Sequence, residues 1–184
     1  MPISYETYER VALEDSDEHW ELVCGRLRKK PPMTAEHYGA TVALSRQLLL
    51  QLDPNEFTIR ADMSQIKAAS ASYYVPDLFV VSRAVERAQR RGPGGGFESY
   101  SEPLPLVVEV WSPSTGDYDV NTKLPEYQRR GDLEIWLLHP YEHWLRAWRR
   151  QADGRYAEAL FTDNAVVEPV ALPGVRIELV RLFE

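Results

Sequence analysis

Residues 106–140 read LVVEVWSPSTGDYDVNTKLPEYQRRGDLEIWLLHP and carry the clearest fold signal in the chain. The two ends of this segment are short apolar runs rich in β-branched and large side chains, which is typical of buried strands. Between them, a turn-rich segment at residues 112–116 leads to a helix predicted at residues 121–130 and stopped by Gly131. The order of strand, helix and strand indicates an α/β domain.

The preceding sequence predicts a helix, a hairpin and a second, longer helix. Residues 5–11 have the pattern of a short amphipathic helix, and residues 20–27 alternate around a turn at Gly25 as a hairpin does. The strongest helical pattern begins after Thr34, a typical N-cap, and ends at residues 53–54, which are Asp-Pro. Five residues within it recur at helical spacing: Tyr38, Val42, Ser45, Leu49 and Leu52.

Further strands are predicted on both sides of residues 106–140. They cover residues 57–61, 65–67, 77–81, 142–149, 156–161 and 175–180. The segment near residues 92–96 is rich in glycine and is predicted to be a loop that can move. There is no internal repeat or linker. We therefore predict one domain over residues 1–184, an α/β fold with a mixed central β-sheet flanked by helices and additional β-hairpins.

The composition limits the classes of function. A chain of 184 residues can bury a sufficient core, and its one cysteine, Cys24, cannot form an internal disulfide. It shows neither a signal-peptide pattern nor an apolar stretch of membrane length, so we expect a soluble, cytoplasmic protein. The net charge of −7 argues against tight, non-specific DNA binding. Basic clusters at residues 29–30, 83–91 and 146–150 are expected to be solvated faces or strand edges.

Three charged residues are candidates for a shared site. Asp77 opens one predicted strand and Glu109 lies inside another, where an ionised carboxylate is costly to desolvate without a cation or several donors. Lys123 lies near the start of the predicted helix. Carboxylates of this kind suit Mg²⁺, which is commonly held by one or two of them, and such a centre hydrolyses phosphodiesters. Separately, the three residues are explained equally well as a turn cap, a cross-sheet ion pair and a solvated lysine.

The same residues resemble a known family. Residues 106–140, together with YVPDLFVV at 74–81, LPGVRIELVRLF at 172–183 and WELVCGRL at 20–27, look like the Uma-type family of restriction endonucleases. That family is similar in core fold to the PD-(D/E)xK nuclease superfamily. The superfamily motif carries its lysine two residues after the second acid, but this chain has Trp111 there. The resemblance implies that the lysine has moved to the following helix, where Lys123 stands.

The resemblance implies a function and a set of site residues. It implies a metal-dependent endonuclease that hydrolyses DNA, with Asp77, Glu109 and Lys123 as catalytic residues. It also implies that Mg²⁺, or Mn²⁺, is held by Asp77, Glu109 and the carbonyl of Val110. By analogy with the superfamily, we expect a homodimer or higher homo-oligomer without membrane attachment. Four further residues are candidates for support around the metal: Glu21, Ser112, Asp119 and Tyr127.

Several of these residues also have simpler interpretations. Asp119 can be a surface ion-pair partner of Lys123 or a turn residue, and Glu21 is more simply an exposed carboxylate at a sheet edge. The four histidines show no zinc spacing and are expected to be structural, with a place facing the cleft as the alternative for His37 at the start of the long helix. The alternative function is an inactive nuclease fold that binds nucleic acid or protein. A third is an oligomeric interaction protein with an interface at residues 136–148.

Overall fold

The computed structural model describes residues 2–15, 19–62, 64–69, 71–89 and 97–184. The helices are α1 (Tyr5–Glu14), α2 (Ala35–Leu49), α3 (Arg83–Gln89), α4 (Gly116–Tyr118) and α5 (Leu124–Arg130), with a π-helical turn at Asp119–Lys123 and a 3-10 turn at Leu179–Leu182. The strands are β1 (Trp20–Val23), β2 (Arg26–Lys29), β3 (Phe57–Ala61), β4 (Gln65–Ala68), β5 (Ser72–Tyr74), β6 (Leu78–Ser82), β7 (Ser99–Tyr100), β8 (Leu106–Val110), β9 (Glu134–His139), β10 (Trp144–Arg150), β11 (Tyr156–Thr162), β12 (Val166–Val167) and β13 (Ile177–Glu178). The predicted glycine-rich loop near residues 92–96 lies outside the described residues.

The central sheet has six strands in the order β11-β10-β9-β8-β6-β3. Strands β8 and β9 are parallel, and their neighbours pair antiparallel. Parallel neighbours need a crossover connection, and here the segment from α4 through the π-turn to α5 supplies it. Residues 106–140 therefore form one strand, helix and strand unit, and the predicted mixed sheet flanked by helices is confirmed.

Each face of the central sheet is covered by a different layer. On one face, α2 packs Ala40, Leu44 and Leu48 into a core with strand residues such as Val108 and Leu138. On the other face, a second core joins β6, β8 and β9 to α5 through Tyr127 and to strands of a five-stranded sheet of order β2-β1-β5-β4-β7. Among the described residues, no helix is long and apolar enough to cross a membrane.

Two local predictions are confirmed in detail. Cys24 and Gly25 both have positive φ angles, 48° and 76°, as a two-residue hairpin turn between β1 and β2 requires. The side chain of Thr34 accepts a hydrogen bond from the backbone N–H of His37 at 3.3 Å and caps α2. The turn residues and the helix cap thus fix the two elements that precede the central sheet.

The residues that recur at helical spacing do not form the buried face of α2. Tyr38 is 60% exposed, Val42 46% and Leu49 68%, whereas the buried side chains are His37, Ala40, Thr41, Leu44 and Leu48. Apolar residues lie on both sides of this helix, so helical spacing alone does not select the side that packs on the sheet.

Other differences occur at element ends. The predicted strand at 175–180 is only two residues of pairing, Ile177–Glu178, followed by the 3-10 turn. Strand β5 and helix α3 have no clear pattern in the sequence, because one is three residues long and the other seven. The predicted helix at 121–130 begins earlier, at Gly116, and contains the π-turn, in which the N–H of Leu124 bonds the carbonyl of Asp119 five residues back.

Candidate active site

The strand register brings the two predicted acids together. Leu78 of β6 pairs with Val108 of β8, so one further step places Asp77 opposite Glu109. Facing residues of antiparallel neighbours project to the same side of a sheet with their Cβ atoms about 5 Å apart. Both side chains are buried and line the same cleft. The carboxylates that the sequence singles out are therefore neighbours.

Asp77 is held by three donors. Its Oδ1 lies 2.8 Å from the Nζ of Lys30, and its Oδ2 lies 3.0 Å from the Nε2 of His37. The backbone N–H of Val110 donates to Oδ2 at 2.7 Å. Burial alone would raise the pKa of Asp77, but the charge of Lys30 and the hydrogen bond from His37 together lower it well below its usual range. Asp77 is therefore ionised and fixed in orientation.

Glu109 is held from the crossover helix. The hydroxyl of Tyr127 donates to its Oε1 at 2.6 Å, and the Nζ of Lys123 lies 3.1 Å from the same oxygen. Burial raises the pKa of Glu109 well above its usual range, and the negative charge of Asp119 adds to this rise. Glu109 thus lacks enough compensating positive charge in the protein alone.

Lys123 is the centre of the charge cluster. Besides Glu109, its Nζ lies 3.0 Å from Glu21 and 3.4 Å from Asp119, which is four residues earlier in the helix. Burial would lower the pKa of Lys123, but the three carboxylates outweigh that effect and raise it well above its usual range. The ammonium is therefore charged, and Asp119 is a buried partner rather than a surface one.

Glu21 corrects a sequence expectation, because it is fully buried rather than an exposed carboxylate at a sheet edge. It projects from β1, where its Oε1 accepts the backbone N–H of Val75 at 3.0 Å. Its Oε2 accepts the hydroxyl of Tyr118 at 2.9 Å and lies 3.6 Å from the guanidinium of Arg28. The second sheet thus contributes a carboxylate to the site from a fully buried strand position.

These groups line one narrow cleft that is partly open to solvent. Its charged lining comprises four carboxylates and three cations: Glu21, Asp77, Glu109, Asp119, Lys30, Lys123 and the partly exposed Arg28. The lining thus holds one more carboxyl group than basic side chains. One carboxylate oxygen, Oδ1 of Asp119, is buried without a hydrogen bond to any described residue and has only the ion pair with Lys123 at 3.4 Å. An excess of buried oxygen donors of this kind fits a hard divalent cation.

The arrangement is not a preformed metal cage. Within residues 2–15, 19–62, 64–69, 71–89 and 97–184, no group of three or more His, Cys, Asp or Glu side chains is placed to hold a metal ion. The two central carboxylates instead bond to lysines. A cation held by Asp77 and Glu109 would have to share them with Lys30 and Lys123, as is possible for an ion that keeps several water ligands.

Ser112 and Trp111 shape the turn that follows β8. The hydroxyl of Ser112 lines the cleft and lies 2.9 Å from the hydroxyl of Thr115. Trp111 stacks on His139 with ring centroids 4.3 Å apart. Its indole lies against Gly116, where a Cβ would approach Nε1 to 1.8 Å. The indole therefore supports the start of the crossover helix.

Comparisons with known proteins agree with this architecture. The sequence model of the Uma2 family, described as "Putative restriction endonuclease", matches residues 5–180. The chain belongs to the Uma2 family. The Uma2 chain is also similar to a crystal structure titled "a putative nuclease belonging to DUF820", from Anabaena variabilis, with a TM-score of 0.79. The two are 17% identical, and the match covers 99% of this chain and 98% of the other, which shows the shared fold. No curated protein matches the chain.

Two residues of the Uma2 site have no clear signal in the sequence. The sequence places Lys30 in a solvated basic cluster, yet it bonds Asp77 and lies 2.5 Å from Asp62. It favours a structural role for His37, with a place at the cleft as the alternative, and this histidine bonds Asp77 and lines the cleft. Lys30 lies between β2 and α2, and His37 lies in the first turn of α2. Position near a helix N-cap is the only local signal for His37.

Proposed function

We propose that this Uma2 protein is a metal-dependent endonuclease that hydrolyses DNA phosphodiester bonds at the cleft formed by Asp77, Glu109 and Lys123. The proposal extends over one restriction-endonuclease-like domain, residues 1–184, acting in the cytoplasm. One observation carries it: buried carboxyl groups from two sheets and the crossover helix converge on one cleft, which holds one more carboxyl group than basic side chains.

Asp77 and Glu109 would hold the ion, together with the carbonyl of Val110. Mg²⁺ is our first choice and Mn²⁺ the second, because both accept oxygen ligands and tolerate retained water. When bound, such an ion polarises the scissile phosphate and lowers the pKa of the attacking water. Asp119, whose buried Oδ1 accepts no hydrogen bond from a described residue, and Glu21 would complete the negative surroundings.

The protein's own groups would orient the substrate and its charge. Lys123 is charged and lies beside Glu109, so its ammonium would stabilise negative charge that develops on the phosphoryl oxygens. Tyr127 fixes Glu109, while His37 and Lys30 fix Asp77 in one orientation. Ser112 at the cleft wall can donate to a phosphate oxygen. A duplex substrate has two strands to cut, so we also propose that the enzyme acts as a homodimer.

One observation favours a different function. Asp77 and Glu109 are each already ion-paired with a lysine, and a lysine on a metal ligand competes with the metal. A nuclease fold that binds nucleic acid or protein without turnover would have this property. The two proposals differ in metal binding, which the inactive module does not need.

Isothermal titration with Mg²⁺ and Mn²⁺ tests the proposal. The parent should bind metal, and Asp77→Asn should lose binding while its circular dichroism spectrum stays that of the parent. A matched control is Asp62→Asn, which also removes a carboxylate from Lys30 but lies outside the proposed ligand set. Equal metal binding by Asp77→Asn and the parent would exclude these ligands. Nicking of a supercoiled plasmid by the parent, and its loss on Lys123→Ala by roughly 100-fold, tests turnover.

A further inference from the structure

Arg28 is the most exposed of the cations that line the cleft. Three such side chains stand beside its carboxylates: Lys30, Lys123 and Arg28. The side chain of Arg28 is 32% exposed, whereas those of Lys30 and Lys123 are 11% and 3% exposed. Lys30 also donates to Asp77, and Lys123 to Glu109. The guanidinium of Arg28 is therefore the positive group of the cleft that an anion entering from solvent can reach.

Two neighbours hold this guanidinium in place. Arg28 and Glu21 face each other in the pairing of β2 with β1, so their side chains project to the same face of the second sheet. The Cζ of Arg28 lies 3.3 Å from the centroid of the Tyr118 ring, which is a close cation–π contact. The hydroxyl of Tyr118 donates to Oε2 of Glu21, the same oxygen that lies 3.6 Å from Arg28. The ring and the carboxylate thus limit the orientation of the guanidinium.

The N–H groups of Arg28 are open to a ligand. A guanidinium carries five donors, and the 3.6 Å distance to Glu21 is that of an ion pair, too long for a hydrogen bond. In the part of the chain that the structure describes, this guanidinium donates no hydrogen bond. Arg60, which is 18% exposed, instead donates to both Glu86 and Glu98. Arg28 therefore differs from an arginine that only holds the fold together.

A wider groove continues from the cleft. It begins just after the strand that carries Arg28 and shares four lining residues with the cleft: Lys30, Pro31, Pro32 and Met33. The groove has a volume of about 310 Å³, which is the size of a small ligand pocket. The narrow cleft has no comparable space. A chain-like substrate that reaches the cleft can therefore continue along this groove.

We propose that Arg28 binds a phosphate of the DNA strand that flanks the scissile phosphate. The inference rests on the DNA substrate of the proposed function and names a residue that holds the DNA backbone. The cleft has one more carboxyl group than basic side chains, which disfavours a polyanion unless a cation at the entrance compensates. Arginine suits this task because its planar guanidinium binds two phosphate oxygens at once.

The position of Glu21 indicates which phosphate Arg28 binds. One oxygen of Glu21 lies 3.0 Å from the Nζ of Lys123, and the other lies 3.6 Å from the guanidinium of Arg28. Arg28 is thus separated by one carboxylate from the lysine that we assign to the scissile phosphate. A neighbouring phosphate of the same strand therefore fits Arg28 better than the scissile one.

Fluorescence anisotropy with a short labelled DNA duplex tests this inference. The titrations are done in chelator, so that metal-dependent cleavage does not remove the probe. Arg28→Gln should raise the dissociation constant by roughly 10-fold or more, because a charge-assisted contact with two hydrogen bonds is lost. Affinity should also depend less on salt, with a logarithmic slope smaller by about one, as expected for the loss of one phosphate contact.

Arg28→Lys separates charge from geometry. It should recover the salt dependence but only part of the affinity, because an ammonium keeps the charge without the planar pair of donors. Tyr118→Leu, which removes the ring under the guanidinium, should weaken DNA binding more than Tyr118→Phe, which keeps the ring. Circular dichroism checks that each variant is folded. A purely structural Arg28 would change the unfolding temperature and leave the salt dependence of DNA binding unchanged.

Arg176→Gln is the matched control. Arg176 is 63% exposed and ion-paired with Glu168, but its backbone bonds Gln51 just beyond the end of α2, whereas the cleft lies at the first turn of this helix. The control should leave DNA affinity nearly unchanged. Equal DNA affinity of Arg28→Gln and the parent, or equal losses in Arg28→Gln and Arg176→Gln, overturns the proposal.

The same titrations keep this inference apart from the proposed hydrolysis. A parent that binds DNA through Arg28 in chelator but does not nick plasmid with Mg²⁺ refutes the hydrolysis and supports the phosphate contact. A parent that binds no DNA at low salt overturns the phosphate contact. Metal titration of Arg28→Gln should show no loss of metal affinity, because Arg28 is a cation and not a proposed ligand.

Discussion

Lys123→Ala should lower the unfolding temperature of the protein, and bound metal should restore most of this loss. The substitution removes the buried cation that lies within 3.4 Å of Glu21, Glu109 and Asp119. Breaking a buried ion pair by removing one partner costs about 3–5 kcal/mol, because the other charge is left uncompensated. For a domain of this size each kcal/mol lowers Tm by about 2–4 °C. We therefore expect a loss of roughly 6–20 °C in chelator.

Added Mg²⁺ or Mn²⁺ should recover most of that loss. A divalent cation at Asp77 and Glu109 supplies the positive charge that the variant lacks, and binding to the folded state alone stabilises it. The assay is thermal unfolding of parent and variant, each with chelator and with a metal series. Metal should raise the Tm of the variant more than that of the parent, because the parent already has an ammonium at the carboxylates.

Glu86→Gln is the control for this experiment. Glu86 is buried and lies 2.6 Å from both Arg60 and Arg83, outside the cleft lining. Its substitution should cost a comparable amount of stability, but metal should not restore it. A parental unfolding temperature for Lys123→Ala in chelator, or equal stabilisation of both variants by metal, would refute this account of the cleft.

Three further changes test the contacts that hold the site and the fold. Tyr127→Phe removes the hydroxyl that donates to Glu109 at 2.6 Å but keeps the ring, so urea unfolding should show a free energy of unfolding lower by about 1–3 kcal/mol. An unchanged midpoint of urea unfolding would show that this hydrogen bond is not formed. Gly116→Ala places a Cβ 1.8 Å from the Nε1 of Trp111, and this overpacking should lower the free energy of unfolding by about 1–3 kcal/mol. It should also reduce plasmid cleavage, because it displaces the helix that carries Lys123. A variant as stable as the parent would contradict the close approach. Finally, burial raises the pKa of Glu86, but Arg83 and Arg60 lower it by more. The ion pairs of Glu86 therefore stabilise the protein above the pKa of the unfolded carboxyl group, about 4.3, and this stabilisation is lost as pH falls through the lower pKa of the folded state. The stability difference between parent and Glu86→Gln should accordingly shrink as the pH of unfolding experiments is lowered below that range, and a difference that is constant with pH would contradict the assignment.

The sequence predicts those parts of the site that are specified by neighbouring strands. Asp77 and Glu109 follow from two apolar runs that each hold one acid, and such runs indicate strands without knowledge of the rest of the fold. Their pairing into adjacent strands is implied by the family resemblance, and the register gives it directly. The places of Lys123 and Tyr127 in the site are implied by the family resemblance, and the predicted crossover helix carries both residues.

The remaining site residues could not be predicted because they depend on docking between layers. Glu21 is on the second sheet, and a carboxylate at a short strand has the same local pattern whether it faces solvent or a lysine. Lys30 follows β2 and His37 lies in the first turn of α2, and each reaches Asp77 only through the packing of its element beside the central sheet. Had the face of α2 that carries Tyr38 and Val42 been buried, His37 would project away from the cleft.

The π-turn explains how one helix supplies three groups to the same cleft. Asp119, Lys123 and Tyr127 are spaced by four residues, and in a regular α-helix such residues drift around the axis by about 40° at each step. A π-turn has more residues per turn, so the step from Asp119 to Lys123 drifts in the opposite direction. The two steps compensate, and all three side chains face Glu109 and its surroundings. Pro125, which has no N–H to donate back into the helix, favours this interruption of the regular ladder at the site itself. Lys123 can therefore reach Glu109 from the crossover helix because this helix is locally wider where it crosses the sheet.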